Sequence, residues 1–221
     1  MKDYWKGIDT VIAQSLSVAL HPLIVPLYSI LLLYFNESAT QFRLHEFSAF
    51  QVFTPWIIFT MILPGIFVLF LRQKGKISSI YLKKRMDREG PLLFAAASAF
   101  ILNVLYFFIA PNPLLLTLPL ILIVSILIDW AVNKFWKISI HMTSLGGLSS
   151  IIIFFSWHRH DIFPWIVLIL LLIGILLGWA RWRLKAHTFM QVILGWINGF
   201  VIALACLKYL PDVFSSLFKM A

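Results

Sequence analysis

The sequence predicts an all-α integral membrane protein, a polytopic transmembrane bundle of about seven spans. Three observations predict it. Hydrophobic residues make up 61% of the chain and charged residues only 12%, where a soluble domain carries roughly a quarter charged residues. The mean hydropathy is +0.93. The apolar residues gather in runs close to the roughly 20 residues needed to cross a bilayer, with short polar segments between them. All 221 residues then form a single integral membrane domain, with no length left over for a sizeable soluble one.

The net charge of +9 raises nucleic acid as a partner, and the placement of the charge argues against it. The basic residues lie in short loops between apolar runs, where they set orientation or meet anionic headgroups. The lipid bilayer is therefore the expected partner. The single cysteine, Cys206, lies inside an apolar run, which excludes an intramolecular disulfide and a cysteine metal site.

In chain order, a short segment of mixed charge leads into the first expected span, residues 11–35, which carries His21-Pro22 and Pro26. Proline inside a spanning helix predicts a kink. His21 is read either as a structural group bonded within the bundle or as a functional one. This run is too long for a secretory leader and lacks a small-x-small cleavage site, so it is expected to remain as a span. A polar hairpin, residues 36–47, holds Glu37, Arg43, His45 and Glu46, and the second span follows at about 52–71. The longest polar loop, residues 72–90, ends in the charged run 83–90. Pro91 then stands where proline suits a first helical turn.

The third span is expected from Pro91 to about 110, with the Pro111-Asn112-Pro113 turn after it and the fourth span to about 130. A basic segment, 134–141, precedes a short fifth span at about 142–157. That span opens with small residues, 144–150, which let a neighbouring helix approach closely. His158-Arg159-His160-Asp161 reads as a turn, and the sixth span runs to about 180. Residues 181–187 are basic again, and the seventh span runs from about 188 to 210. Tryptophans near span ends (Trp56, Trp130, Trp136, Trp157, Trp179, Trp182) read as an interfacial belt. Asn103 and Asn198 read as interhelical hydrogen-bonding residues, and Asp129 as a partner for a basic side chain.

Seven spans put the segments 72–90, 134–141 and 181–187 on one membrane face, because two spans separate each from the next. Of the 18 Lys and Arg, only Arg43, Arg159, Lys208 and Lys219 fall on the other face. The positive-inside rule then places the basic face in the cytoplasm of a cell membrane, the inner one in a bacterium.

Each of the three segments ends at an expected helix start, whose free N–H groups and dipole suit a phosphate group. Arg181 adds bidentate donors. His141 and His187 add acid and nucleophile chemistry near neutral pH.

In order and spacing, these residues resemble the type 2 phosphatidic acid phosphatase superfamily, the histidine-dependent membrane lipid phosphatases. Its third motif is Ser-Arg, five residues, His, three residues, Asp, and a glycine four further on. Here Ala180-Arg181, His187, Gln191 and Gly195 occupy those places. The second motif, Pro-Ser-Gly-His, is matched as Ile138-Ser139-Ile140-His141. In the first motif a lysine stands eight residues before a proline that directly follows an arginine. Lys83 stands eight before Pro91, with Gly90 in the arginine's place and Arg88 two positions earlier. The likeness covers about residues 83–195.

The resemblance implies a six-helix core plus one further span. It implies His187 as the nucleophile that forms a phosphohistidine and His141 as the general acid for the leaving group. Arg181, Ser139, Lys83 and Arg88 would hold the phosphoryl oxygens. Gln191 would orient the nucleophile by accepting its ring N–H, without the charge that the family's aspartate supplies there. The implied substrate is a membrane lipid phosphate or diphosphate, isoprenyl or glycerolipid, and the implied chemistry needs no cofactor and no metal. Gln191, Ala180 and Gly90 keep open a second reading, a non-catalytic lipid-phosphate binding or scaffold protein of the same fold. A transporter or channel is a third, with only His21, Asn103, Asp129 and Asn198 to line a path. Oligomeric state has no signature in the sequence.

Overall fold

The computed structural model describes residues 2–35, 42–158 and 164–220, with side chains for 7–35, 42–157 and 165–219. Glu37, Arg159, His160 and Asp161, and the side chain of His158, lie outside these. Among the described residues every regular element is helical. Six helices of the described residues are long and apolar enough to cross a bilayer: Ala49–Gln73, Met86–Ile109, Pro113–Asn133, Ile140–Trp157, Trp165–Arg183 and Phe189–Lys219. They correspond to the second through seventh expected spans and mark an integral, multi-pass membrane protein.

The first expected span is not one helix. α1 (Lys2–Ala19) and α2 (Val25–Phe35) are separated by an elbow at Leu20–Ile24. The His21 carbonyl accepts from Ile24 N (2.8 Å) and Val25 N (3.0 Å), which closes the turn and starts α2 on a new axis. With 11 residues, α2 is about 16 Å long, short of a hydrocarbon core of about 30 Å. α1 packs against α8 and leaves Val11 and Val18 exposed.

The second span is built from α3 (Ala49–Ile57), a π-helical segment (Ile58–Ile62) and α4 (Leu63–Gln73). Ser48 starts it through a capping box, in which its hydroxyl accepts from Gln51 N (3.3 Å) and Gln51 Oε1 accepts from Ser48 N (3.0 Å). Leu63 N reaches back five residues to Ile58 O, and Pro64 has no N–H to offer Phe59 O in the same pattern. The hydroxyl of Ser98 supplies that missing donor at 2.6 Å, as a backbone group inside a bilayer requires.

α5 (Glu89–Ile109) begins directly after the 3₁₀ turn Met86–Arg88, with Pro91 in its first helical turn. α6 (Pro113–Asn133) is capped by Asn112, whose Oδ1 accepts from Leu114 N (2.9 Å) and Leu115 N (3.3 Å). Asn103 ties the two helices through Leu116 O at 2.6 Å, the interhelical role expected of it. Trp56, by contrast, is no interfacial residue. It is 1% exposed in the main apolar core and stacks on Tyr106.

α7 (Ile140–His158) and α9 (Phe189–Met220) form the most extensive helix pair, and α8 (Pro164–Arg183) connects them. The pair is close because glycines meet backbone. A Cβ on Gly199 would stand 1.8 Å from Thr143 O, and one on Gly146 would stand 2.1 Å from Trp196 O. The small residues at 144–150 therefore do the work their size suggests. Asp129 of α6 is buried at the same junction, and its Oδ1 accepts from Thr143 Oγ1 (3.0 Å) and Asn198 Nδ2 (3.0 Å).

Candidate functional site

The three basic segments meet. Arg85 donates to Lys134 O, and Asn133 Nδ2 to Arg85 O at 3.0 Å, so the start of α5 is pinned to the end of α6. Lys137 Nζ donates to Ala186 O at 3.0 Å, and Ser139 N to Gln191 O at 3.3 Å, which binds the 134–141 segment to the start of α9. Gly195 allows that last approach, since a Cβ there would lie 2.7 Å from Ser139 O. In the chain's order of motifs the glycine thus has a backbone reason for its place.

The turn between α8 and α9 fixes the spacing of Arg181 and His187. Lys185 N bonds Trp182 O (2.9 Å) and Ala186 N bonds Arg181 O (3.1 Å), with Lys185 at φ 52. That is the Schellman end of a helix, and lysine holds the left-handed position that usually belongs to glycine. His187 N also points to Arg181 O, at 3.4 Å. Thr188 then caps α9 reciprocally with Gln191, through Thr188 N to Gln191 Oε1 (3.2 Å) and Gln191 N to Thr188 Oγ1 (3.5 Å).

His187 is buried, 6% exposed, and its two ring nitrogens have different partners. Nδ1 lies 3.1 Å from Gln191 Oε1 and 3.3 Å from Lys137 O. Both are acceptors, so Nδ1 carries the hydrogen and Nε2 keeps its lone pair. Nε2 faces Arg88 Nη2 at 3.5 Å. Burial first, then the charges of Arg88, Arg181 and Lys137, push the His187 imidazole down to about 3. It is neutral at pH 7.

Arg88 is itself buried, 5% exposed, and held in place by Nε to Leu82 O (3.0 Å) and Nη1 to Ile138 O (3.0 Å). Leu82 presents that carbonyl from a left-handed backbone, φ 47. Arg181 lies within electrostatic range of Arg88, Lys137, His21, His141 and His187. Burial, followed by Arg88 and Arg181, lowers the Lys137 ammonium below its ordinary value. Among the described residues, no ion pair neutralises Arg88, Lys137 or Arg181. Among the described residues, the hydroxyl of Ser139, which is fully buried, and Nε of Arg181 have no hydrogen-bond partner.

Convergent cations without an ion-pair partner among the described residues, and orphaned buried polar atoms, cost free energy unless an anion satisfies them. The arrangement suits a group with several negative oxygens, and it sets a neutral imidazole lone pair beside that group.

The other sequence-derived residues fall as follows. His141 is half-buried at the start of α7, within electrostatic range of Arg181 and His187. Its Nε2 lies 3.2 Å from Ser17 O, and its ring meets that of His21 edge-on with centroids 5.3 Å apart. Lys83 is exposed, and no hydrogen bond or ion pair of the described residues ties it to the cluster. Arg88 occupies the place beside the histidine.

Two contributors escaped the sequence reading, Lys137 and the Ser17 carbonyl; Asp129, expected to partner a basic side chain, is hydrogen-bonded to Thr143 and Asn198 and meets Arg88 through charge alone. Lys137 sits two residues before Ser139 and was legible as part of a basic segment. A backbone carbonyl leaves no trace in a side-chain pattern.

Beside the cluster, an apolar cavity of about 120 Å³ runs between α2, α3, α5, α6 and α7. Asp129, Ile140 and Thr143 line its end near the site, and Trp56, Leu118 and Ile151 its other end. His187 and Gln191 also border a surface depression with Trp182, Lys185 and Phe189. Comparison of the chain with protein-family models, with curated proteins and with solved structures finds no match in any of the three.

Proposed function

We propose that this chain is a metal-independent membrane lipid phosphatase, akin to the type 2 phosphatidic acid phosphatases, that hydrolyses an isoprenyl or glycerolipid phosphate or diphosphate. The observation that carries the reading is the His187 ring, neutral and with an unprotonated Nε2 that meets the Arg88 guanidinium. In this reading Arg88, Arg181, Lys137 and the Ser139 hydroxyl bind the phosphoryl oxygens and stabilise the charge spread over them. Nε2 attacks phosphorus, the P–O bond to the leaving group breaks, and protonated His141 gives the leaving oxygen its proton. Water then attacks the phosphohistidine while His141 takes the water's proton, and phosphate leaves with the His187 lone pair restored. The apolar cavity that begins at Ile140 supports a substrate with a hydrocarbon chain.

In the same reading the chain crosses the membrane about seven times. α2 with its elbow is the first crossing, since His21 of the elbow meets the His141 ring while the Tyr34 hydroxyl at the other end donates to Phe47 O, beside the start of α3. α1 lies along the basic face, and that face is cytoplasmic. Fusion reporters in the 74–84 loop test this, and a reporter active only outside the cell would reverse the orientation.

The deciding experiment is phosphate release from a panel of lipid phosphates and diphosphates, in detergent with chelator, beside His187→Ala. Chelator-resistant release that vanishes in the variant is expected. A specific observation favours one competitor, a non-catalytic lipid-phosphate binding protein. Gln191 gives the His187 ring an acceptor with no charge. Lipid phosphate binding with no release above His187→Ala would select that competitor.

A further inference from the structure

α1 and the elbow after it supply a fourth wall to the cluster, and neither contribution belongs to the three basic segments. The Ser17 carbonyl of α1 lies 3.2 Å from Nε2 of His141. A carbonyl can only accept, so the hydrogen of His141 resides on Nε2. The nitrogen left to exchange a proton with a bound group is Nδ1. The second contribution is His21. Leu23 N donates to its Nδ1 at 3.3 Å, which fixes the His21 ring within the elbow and leaves the hydrogen on its Nε2. The fixed ring then stands edge-on to His141, at an interplanar angle of 82° and a centroid separation of 5.3 Å.

One side of the His141 imidazole is therefore tied to α1 through Nε2, and its ring is walled by His21 of the elbow that follows α1. Ser17 is buried, and its own hydroxyl donates to Ala13 O (2.8 Å), so that stretch of α1 is internally satisfied. α1 is held in turn against α8, where Asp9 lies 3.9 Å from Arg183.

We infer that His21 is a positioning residue, which with the Ser17 carbonyl holds His141 in the Nε2–H tautomer so that Nδ1 exchanges the proton. The kinetic consequence rests on the phosphatase reading, whereas the tautomer does not. The general pattern is that of a histidine whose working nitrogen is chosen by the hydrogen bond at the other.

The test uses the full chain in detergent, labelled with ¹⁵N-histidine, and His141→Gln to assign the His141 resonances. His21→Asn keeps an acceptor for Leu23 N and removes the ring, while His21→Phe keeps a ring and removes the acceptor. Wild-type His141 is expected as the Nε2–H tautomer near neutral pH. In His21→Asn its two nitrogens should average between tautomers, with kcat about tenfold lower and KM within twofold. His21→Phe should keep the tautomer and stay within about threefold of the wild-type rate.

A wild-type His141 with its hydrogen on Nδ1 would overturn the inference, and so would wild-type His141 resonances in His21→Asn. Equal loss in both variants would overturn it too, by reducing His21 to a fold element of the elbow. Should the wild type release no phosphate, the phosphatase reading alone falls, and the nitrogen resonances still decide the role of His21.

Discussion

Nε2 of His187 lies 3.5 Å from Nη2 of Arg88, a side chain 99 positions earlier that is anchored by two backbone carbonyls. The guanidinium thus donates toward the one ring nitrogen that carries no hydrogen. A bound oxyanion would take the Nη2 donor for itself and bring phosphorus within reach of the ring. Arg88→Lys keeps the charge and loses the planar fork that reaches Leu82, Ile138 and His187 together. Phosphate release should fall about 10²–10³-fold in this variant, and inhibition by inorganic phosphate should weaken at least about tenfold. An Arg88→Lys enzyme with wild-type kinetics would show that only charge matters there.

The buried His187 also makes stability depend on pH. Its folded-state value is about 3 against an ordinary 6.5. Between these values the unfolded chain binds the proton and the folded one does not. Stability is therefore full above about pH 6.5 and declines as pH falls toward 3, by up to about 1.4 kcal/mol per unit. Melting curves at pH 7 and pH 4.5 should show this loss in the wild type. His187→Gln, which cannot titrate, should show a smaller one.

Gln191→Glu retains the reach of the oxygen now 3.1 Å from Nδ1 and adds a negative charge. The charge favours the imidazolium and the phosphorylated ring alike, so the His187 value should rise by roughly 1–3 units. Turnover should increase at least about tenfold, within the larger effect that a histidine's carboxylate partner has elsewhere. Histidine NMR and phosphate release check the two parts separately.

Gly199→Ala would push a methyl group to 1.8 Å from Thr143 O. The α7–α9 pair must then separate, at a cost of about 3 kcal/mol or more. Gly174→Ala, where nothing lies within 4 Å of the new carbon, is the control and should be neutral. Thermal unfolding in detergent distinguishes them.

Lys185 holds a left-handed backbone, φ 52, which costs an L-residue about 1–2 kcal/mol. Lys185→Gly should relieve part of that and raise the melting temperature, even though glycine loosens the unfolded chain. A lower melting temperature would mean that the lysine side chain contributes more than its backbone costs.

The sequence made the six long apolar helices legible because bilayer thickness imposes a length that few other constraints mimic. It also made the convergence of Arg88, Ser139, Arg181, His187 and Gln191 legible, because parity carries every second loop to the same face. The break at His21 was less visible. Proline predicts a kink, but whether a kink becomes an elbow depends on carbonyl partners such as Ile24 N and Val25 N. Trp56 shows the limit of belt reasoning, since an indole near an expected span end can equally turn inward and stack on Tyr106. Lys83 has the spacing and Arg88 the position, because Arg88 lies in the 3₁₀ turn that leads into α5 while Lys83 stays on the exposed part of the loop.

The glycine contacts of Gly146, Gly195 and Gly199 have a mechanical consequence. Ser139 and His141 stand at the start of α7, and His187 and Gln191 at the start of α9, so these four groups ride on one interlocked pair. Arg88 arrives from the 3₁₀ turn before α5 and Arg181 from the end of α8, outside that pair. The spacing of the two imidazoles is therefore set by two helix backbones in direct contact, and Arg88 is tied to the same unit through Ile138 O.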